Sequence, residues 1–391
     1  MRRLLLAAIP LISAPQVFLE PPSYQERIRG VYENKIRQNA SPEKVFETFA
    51  SVKDGRKFFM SPHDLFKAIT PFNYSPTSTY DFFKDRESFI ISIVDANKDG
   101  RISFPEYFFF VVLLSTSASQ FEKMFRKRGG SLGVAEFTEI MIEAKKNSAQ
   151  GKRLVSSHGL EPRSTFITDE DFKESCENLF AEMFKENLKM NFEQFSEIRQ
   201  KISEELLIYE FYKFPVEDQT ITIEDFCKSI IAYIPASLTD MYLKRLFSLE
   251  FSGRVTLKQY FGFMFVIQET HTLHQELLAE HNRHGALGKT RLMKVLKDVL
   301  QKVPNSEEKK FEISELQVEA FLQLLDLDES GTLTPDEIMY LVSSKGSQAT
   351  FHEANPNLEE VVYEFKRFIN ALMKFSGVGP VFKIIPEDNS T

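Results

Sequence analysis

The sequence predicts an all-α protein assembled from repeated helix–loop–helix units. Three observations carry that expectation. The chain of 391 residues holds 38 phenylalanines and no tryptophan, so its rings are expected to fill many small apolar clusters between short helices. Apolar residues recur at helical spacing between short loops, whereas strand-like alternation bounded by hairpin turns is scarce. Two segments, 95–106 and 326–337, repeat one pattern of oxygen-bearing side chains around a central glycine.

The length suits two or three compact units. A net charge of −8, with 27% charged and 42% hydrophobic residues, describes an ordinary globular chain and argues against both disorder and general nucleic-acid binding. Cys176 and Cys227 lie far apart with no CxxC or Cys-His spacing, so neither a disulfide scaffold nor a structural zinc site is expected, and both are read as core thiols.

In chain order, residues 1–20 read as a targeting segment. Arg2 and Arg3 precede an apolar stretch broken by Pro10, and no acid occurs before Glu20. This suits a secretory signal or an organellar presequence equally. No run is long enough to span a bilayer. An N-terminal domain follows at 21–80, then a first lobe at 81–145 containing loops at 95–106 and 126–136. A polar stretch without apolar period, 146–164, reads as an exposed connection and the main boundary. Further units and a second lobe occupy 165–344. A C-terminal amphipathic helix is expected at 358–375, with Leu358, Val361, Val362, Phe365, Phe368, Ile369 and Leu372 on one stripe. That stripe fits docking on its own domain, or contact with a partner or a membrane surface.

The first repeated loop reads Asp95-Ala96-Asn97-Lys98-Asp99-Gly100-Arg101-Ile102-Ser103-Phe104-Pro105-Glu106. It satisfies the twelve-residue EF-hand pattern: Asp95, Asn97 and Asp99 offer side-chain oxygens, Arg101 a backbone carbonyl, Ser103 a hydroxyl or bridging water, and Glu106 a bidentate carboxylate. Gly100 allows the sharp turn among them. The second loop supplies Asp326, Asp328, Ser330, Thr332, Thr334 and Glu337 at the same places, with Gly331 at the turn. An all-oxygen set of this size suits Ca2+. Ser103 with Glu106, and Thr334 with Glu337, also have capping-box spacing, so each exiting helix should start there. Lys98 and Arg101 flank the first loop whereas Glu329 and Asp336 flank the second, which predicts tighter calcium binding by the second.

EF-hands work in pairs, so degenerate copies are expected nearby. The segment 126–136 resembles a loop one residue short, with Arg126, Lys127 and Arg128 where acids belong, and should not bind calcium. The segment 248–259 keeps Gly253 but ends in Gln259. Weaker echoes lie at 54–65, 186–195 and 214–225.

With both loops, the motifs Tyr32-Glu33-Asn34-Lys35-Ile36-Arg37, Ser41-Pro42-Glu43-Lys44-Val45-Phe46 and Met60-Ser61-Pro62-His63-Asp64-Leu65-Phe66 resemble blocks of the mitochondrial calcium uptake proteins, the EF-hand regulators of the inner-membrane calcium uniporter. The resemblance covers most of the chain. It implies a non-enzymatic calcium sensor in the intermembrane space, peripheral to the inner membrane, that closes the uniporter pore complex at low calcium and releases it when calcium binds. It also implies a homo- or heterodimer with a related EF-hand protein, and basic residues that meet acidic ones at the pore. Arg27, Arg29, Lys35 and Arg37 are a local basic stretch of that kind, or else a solvated helix face. Two departures stand out. The acids lie in the earlier of the adjacent loops 95–106 and 126–136, where the family implies the later, and no cysteine near the C-terminus is available for a covalent heterodimer.

Other signals are read as structural. Gly288-Lys289-Thr290 ends like a phosphate loop, but Arg283 stands where the earlier glycine belongs. His271, His274, His281 and His284 form a polar helix face more readily than a zinc or copper site. The N-x-S/T sequons at Asn39, Asn73 and Asn389 matter only in a secreted chain. The alternatives left standing are a secretory-pathway calcium buffer and an EF-hand regulatory subunit of a protein phosphatase.

Overall fold

The computed structural model describes residues 22–75, 81–84, 87–157, 167–183, 189–234, 236–303 and 310–339. The expected targeting segment, the sequon at Asn389 and the 358–375 helix lie outside these residues.

Helix α1 (Tyr24–Asn39) starts at a capping box in which Ser23 N donates to Glu26 Oε2 at 2.8 Å and Glu26 N to Ser23 Oγ at 3.2 Å. Next come α2 (Pro42–Phe49) and α3 (Pro62–Ile69), each opened by a capping serine followed by proline at its first position. Between them runs a hairpin of β1 (Val52–Asp54) and β2 (Lys57–Phe59). Helices α4 (Phe89–Val94) and α5 (Phe104–Ser115) flank the first acidic loop. Helices α6 (Ala118–Lys127) and α7 (Val134–Asn147) flank β3 (Ser131–Leu132), and α8 (Ala149–Ser157) follows. Helix α9 (Asp169–Met183) leads through β4 (Met190–Asn191) into the long α10 (Phe192–Tyr212). Then β5 (Thr220–Thr222) opens α11 (Ile223–Ile231), and α12 (Ala236–Ser248) leads through β6 (Arg254–Thr256) to α13 (Leu257–Gln268). Helices α14 (Thr270–His284) and α15 (Lys289–Lys302) precede α16 (Glu315–Leu325), which enters the second acidic loop, and residues 335–339 are helical beyond it.

The loops join in pairs through short antiparallel contacts, and these correct the pairing read from the sequence. The 95–106 loop pairs with the degenerate unit before it, not with 126–136: Met60 N donates to Ile102 O and Ile102 N to Met60 O, both at 2.8 Å. It is thus the later hand of its pair. The 126–136 loop pairs instead with the 186–195 echo through β3 and β4. The 214–225 echo pairs with 248–259 through β5 and β6. The 326–337 loop meets a turn that sequence reading did not single out as a hand, with Leu287 N donating to Leu333 O at 2.8 Å and Leu333 N to Leu287 O at 2.9 Å. Gly288, the false phosphate-loop glycine, is the N-cap of α15 in that turn. Among the described residues this makes eight helix–loop–helix units in four pairs, with α10 shared between two of them.

Instead of many small clusters, the phenylalanines build two large cores. In the first, Phe195 meets Phe121, Phe125 and Phe137 at centroid distances of 4.7, 5.4 and 5.5 Å. In the second, Phe263 lies 5.0 Å from Phe226 and 5.1 Å from Phe321. Each ring fully removed from water contributes about 1.5–3 kcal/mol. The division between cores falls within α10, whose Phe195, Ile198 and Ile202 serve the first and Leu207 and Phe211 the second. Residues 167–183 and 189–202 therefore pack with the first lobe. The 146–164 connection is helical through Ser157 and, in its helical part, packed: Ser148, Gln150 and Leu154 are buried there. Leu154 is the one large apolar residue among these three and the other two are polar, so no apolar period marked the segment.

Gly262 on α13 lies directly against the backbone of Glu312, and a Cβ placed there would overlap the Glu312 carbonyl oxygen and sit 2.9 Å from its carbon. Backbone cannot rotate aside as a side chain can. Gly262→Ala should therefore lose about 1–3 kcal/mol in urea unfolding; an unchanged midpoint would mean that the 310–313 segment yields freely.

Candidate calcium centres

The two acidic loops fold alike. Position four is left-handed in both, at Lys98 (φ 56°) and Glu329 (φ 57°), and the turning glycines Gly100 and Gly331 have φ of 76° and 75°. At position one, Asp95 accepts from Asp99 N at 3.2 Å and Gly100 N at 2.9 Å, while Asp326 accepts from Ser330 N at 2.9 Å and Gly331 N at 2.8 Å. Asn97 and Asp328 each accept from the position-five N–H, at 3.1 and 3.2 Å. Asp99 Oδ1 accepts from Arg101 N at 2.8 Å, and Ser330 Oγ from Thr332 N at 3.4 Å.

The last acid of each loop caps its own helix. Glu106 Oε2 accepts from Ser103 N at 2.7 Å and Ser103 Oγ at 2.6 Å, and Glu106 Oε1 reaches across to Ala96 N at 2.8 Å. Glu337 Oε2 accepts from Thr334 N at 2.7 Å and Thr334 Oγ1 at 2.8 Å. The acids are thus turned onto backbone donors, and among the described residues no three His, Cys, Asp or Glu side chains are gathered as a metal-binding group.

The donors nevertheless fit a hard cation. Asp95, Glu106 and Asp326 are each 6% exposed and Glu337 8%. Burial pushes the Glu106 carboxyl up from its usual range, against hydrogen bonds from Ser103 that lower it. Burial does the same to Glu337, and the charges of Asp328 and Asp326 add to it. A divalent cation would offset the lost hydration of these buried carboxylates and, at Glu337, the repulsion of Asp328 and Asp326. Bound Ca2+ supplies that charge and asks for six to eight oxygens.

Several surrounding residues carry no signal in the sequence. Asn178 on α9 donates through Nδ2 to Ser92 O and Ile93 O, both at 3.0 Å, at the end of the helix entering the first loop. Glu205 on α10 accepts from Ile90 N at 2.9 Å at that helix's start. Arg199 on α10 donates to Leu113 O and Thr116 O at the end of α5, at 3.0 and 2.8 Å. For the second loop, Arg245 on α12 donates from Nε to Gln323 O at 2.8 Å and from a terminal nitrogen to Asp326 O. Three of the four flanking charges have a counterion: Lys98 pairs with Glu182, Arg101 with Asp54 at 3.3 Å, and Glu329 with Arg245 at 3.7 Å.

Residues 90–107 match the EF hand family. A calcium uptake protein of mitochondria from Arabidopsis thaliana is 26% identical over 361 residues, spanning 85% of this chain and 69% of its own. The human mitochondrial calcium uptake protein 1 is 25% identical over 357 residues, spanning 82% and 70%. The chain is a homologue of the mitochondrial calcium uptake proteins. This homologue also shares its fold with two solved structures. The apo structure of the mitochondrial calcium uniporter protein MICU2 gives a TM-score of 0.52 at 13% identity, covering 86% of this chain and 98% of that one. EFHA2 in its Ca-binding state gives 0.50 at 18% identity, covering 76% and 95%.

Other sequence signals resolve less dramatically. Of the four basic residues on α1, Arg37 is built into the fold, donating to Glu33 at 3.0 Å, Asn34 at 2.9 Å and Lys67 O at 3.0 Å. Arg27 lies 3.7 Å from Asp240, Arg29 bonds Glu33 at 2.8 Å, and Lys35 is exposed. The four histidines are strung along α14, with His284 3.9 Å from Glu280. Both cysteines are buried and free, and burial pushes the Cys176 thiol up to about 12.

Proposed function

We propose that this chain is a calcium-sensing gatekeeper of mitochondrial calcium import, inhibiting the inner-membrane uniporter at low calcium and releasing it when calcium fills the loops at 95–106 and 326–337. The observation that carries the reading is similarity to calcium uptake proteins over more than four-fifths of the chain, in a protein whose two complete calcium loops both survive. Asp95, Asn97, Asp99, Arg101, Ser103 and Glu106 hold one ion. Asp326, Asp328, Ser330, Thr332, Thr334 and Glu337 hold the other. In this reading the protein is a regulator and not an enzyme, and it works in the intermembrane space as a homo- or heterodimer with a related EF-hand protein. Among the described residues no helix is long and apolar enough to cross a membrane.

The energy for switching comes from the difference in calcium affinity between two arrangements of the helices. Glu106 and Glu337 are the movable parts, because each caps a helix start and is also the bidentate ligand of its loop. A carboxylate that turns from the cap to the ion shifts the exiting helix relative to the entering one. Of the basic residues on α1, Lys35 and the exposed edge of Arg29 remain for acidic groups at the pore.

Pull-down of purified uniporter pore complex by the full chain, at submicromolar and at tens of micromolar calcium, tests the reading. Retention at low calcium and release at high calcium is expected. Equal retention in both, or none in either, rejects the gatekeeper and favours a calcium buffer.

A further inference from the structure

We propose that Asn178 and Arg245, each on a helix of a metal-free hand, are the positioning residues that set the calcium affinity of the two working loops and pass their movement to the neighbouring hands. The inference rests on the two loops binding calcium.

The last carbonyls of a helix have no partner within it and must find one elsewhere when buried. For α4 that need is acute. Ala96 N, which would donate to Ser92 O if the helix continued, is taken by Glu106 Oε1 at 2.8 Å. The Ser92 carbonyl is left to the Asn178 amide, which also takes Ile93 O. Asn178 is buried, so its two donated bonds are made in a low-dielectric setting where removing them is costly. The side chain thus fixes the entering helix two residues before Asp95, at a point already tied through Ala96 to the acid that must move.

The second loop has the same device with a different residue. Arg245 spans Gln323 O and Asp326 O. Asp326 is both the C-cap of α16 and the first residue of the loop. A guanidinium at a helix C-terminus interacts favourably with the carbonyl dipoles there, and its planar fork can hold two carbonyls at once. The symmetry is functional in form: α9 and α12 are each the entering helix of a degenerate hand, and each grips the entering helix of a working one. Those degenerate hands lie on either side of the unit joined to both by α10 and the β5–β6 ladder. Loss of metal chemistry in the middle hands leaves their helices free to serve as readers.

The test uses the full chain and two readouts: calcium titration by calorimetry, and amide hydrogen exchange with and without calcium. In the wild type, calcium should change exchange in α4 and α9 together, and in α16 and α12 together. Asn178→Ala should shift the affinity of the first loop by about threefold or more while sparing the second, and confine the calcium effect to α4. Arg245→Ala should do the converse, and Arg245→Lys, which keeps the charge and one donor, should restore part of the coupling and guards against a variant that fails to fold. A merely structural contact would lower stability without separating α4 from α9. Variants that titrate and exchange like the wild type remove the clamp alone. A wild type that takes up no calcium removes the loop reading and the clamp with it.

Discussion

Glu106→Gln and Glu337→Gln, made singly in the full chain, should each abolish one calcium-binding event and leave the other. Each substitution keeps the side-chain length and can preserve the cap onto Ser103 or Thr334, but it removes the charge and the second strong oxygen of the bidentate ligand. The affected loop should lose roughly a hundredfold in affinity, about 2.7 kcal/mol. The surviving site then reports its own strength. The protein that keeps only 326–337 should bind more tightly, because Glu329 and Asp336 add negative potential there whereas Lys98 and Arg101 flank 95–106. The difference should be modest, since Lys98, Arg101 and Glu329 each have a counterion, and it should shrink in high salt. Tighter binding by the protein that keeps only 95–106 would overturn the ordering.

Lys213→Met should raise stability at neutral pH and flatten its rise toward alkaline pH. Lys213 caps α10, and its amine donates to Thr70 Oγ1 at 3.3 Å and to the Pro71 carbonyl. It also lines a cavity of about 360 Å3 with Arg29, Arg37, Lys67 and Glu33 among the walls. Burial brings the amine down to about 7, with Arg37 and Lys67 pushing the same way and Glu210 and Glu33 opposing. In the unfolded chain it titrates near 10.4. Between those values the unfolded state holds a proton that the folded state does not, so stability must rise with pH across that window, by about 1.4 kcal/mol per unit for one proton. Below about 7 both states are protonated and the full cost is present. The wild type measured against Lys213→Met by urea unfolding at pH 6 to 10 should therefore gain on the order of 3–5 kcal/mol over that range. A constant difference between the two would mean that the amine keeps its proton in the fold. The methionine leaves the Pro71 carbonyl without its donor, which offsets part of the gain at pH 7.

The parts of this molecule that were legible in the sequence are those in which chemistry and local structure coincide. The twelve-residue loops announce themselves because oxygen ligands, a left-handed glycine and a capping box must fall at fixed spacings, and the left-handed glycine and the capping box are found as expected in both. Pairing was not legible, because it rests on a single bridge, as between Met60 and Ile102, or on a ladder of two or three residues that any strand would accept. The partner of 326–337 was missed for a related reason: its turn around Leu287 and Gly288 has no acids left, and only the bridge to Leu333 marks it as a hand. The core boundary escaped because α10 is apolar toward two lobes in succession, so its pattern runs on without a break where the cores divide. Asn178 and Arg245 act on carbonyls more than 75 residues away, as separations of 85, 86, 78 and 81 show, and nothing local to either residue hints at it. The basic stretch on α1 shows the reverse failure. Four cations in sequence looked like one surface, yet Arg37 is taken up by Glu33, Asn34 and Lys67 O.

Calcium uptake by energised mitochondria, followed from submicromolar to tens of micromolar calcium, tests the central claim most directly. The comparison needs mitochondria with this protein, without it, and with the Glu106→Gln, Glu337→Gln double variant. The account predicts that loss of the protein lets calcium enter at low concentration, and that the double variant holds the uniporter shut even at high concentration. Uptake that is the same in all three would contradict it.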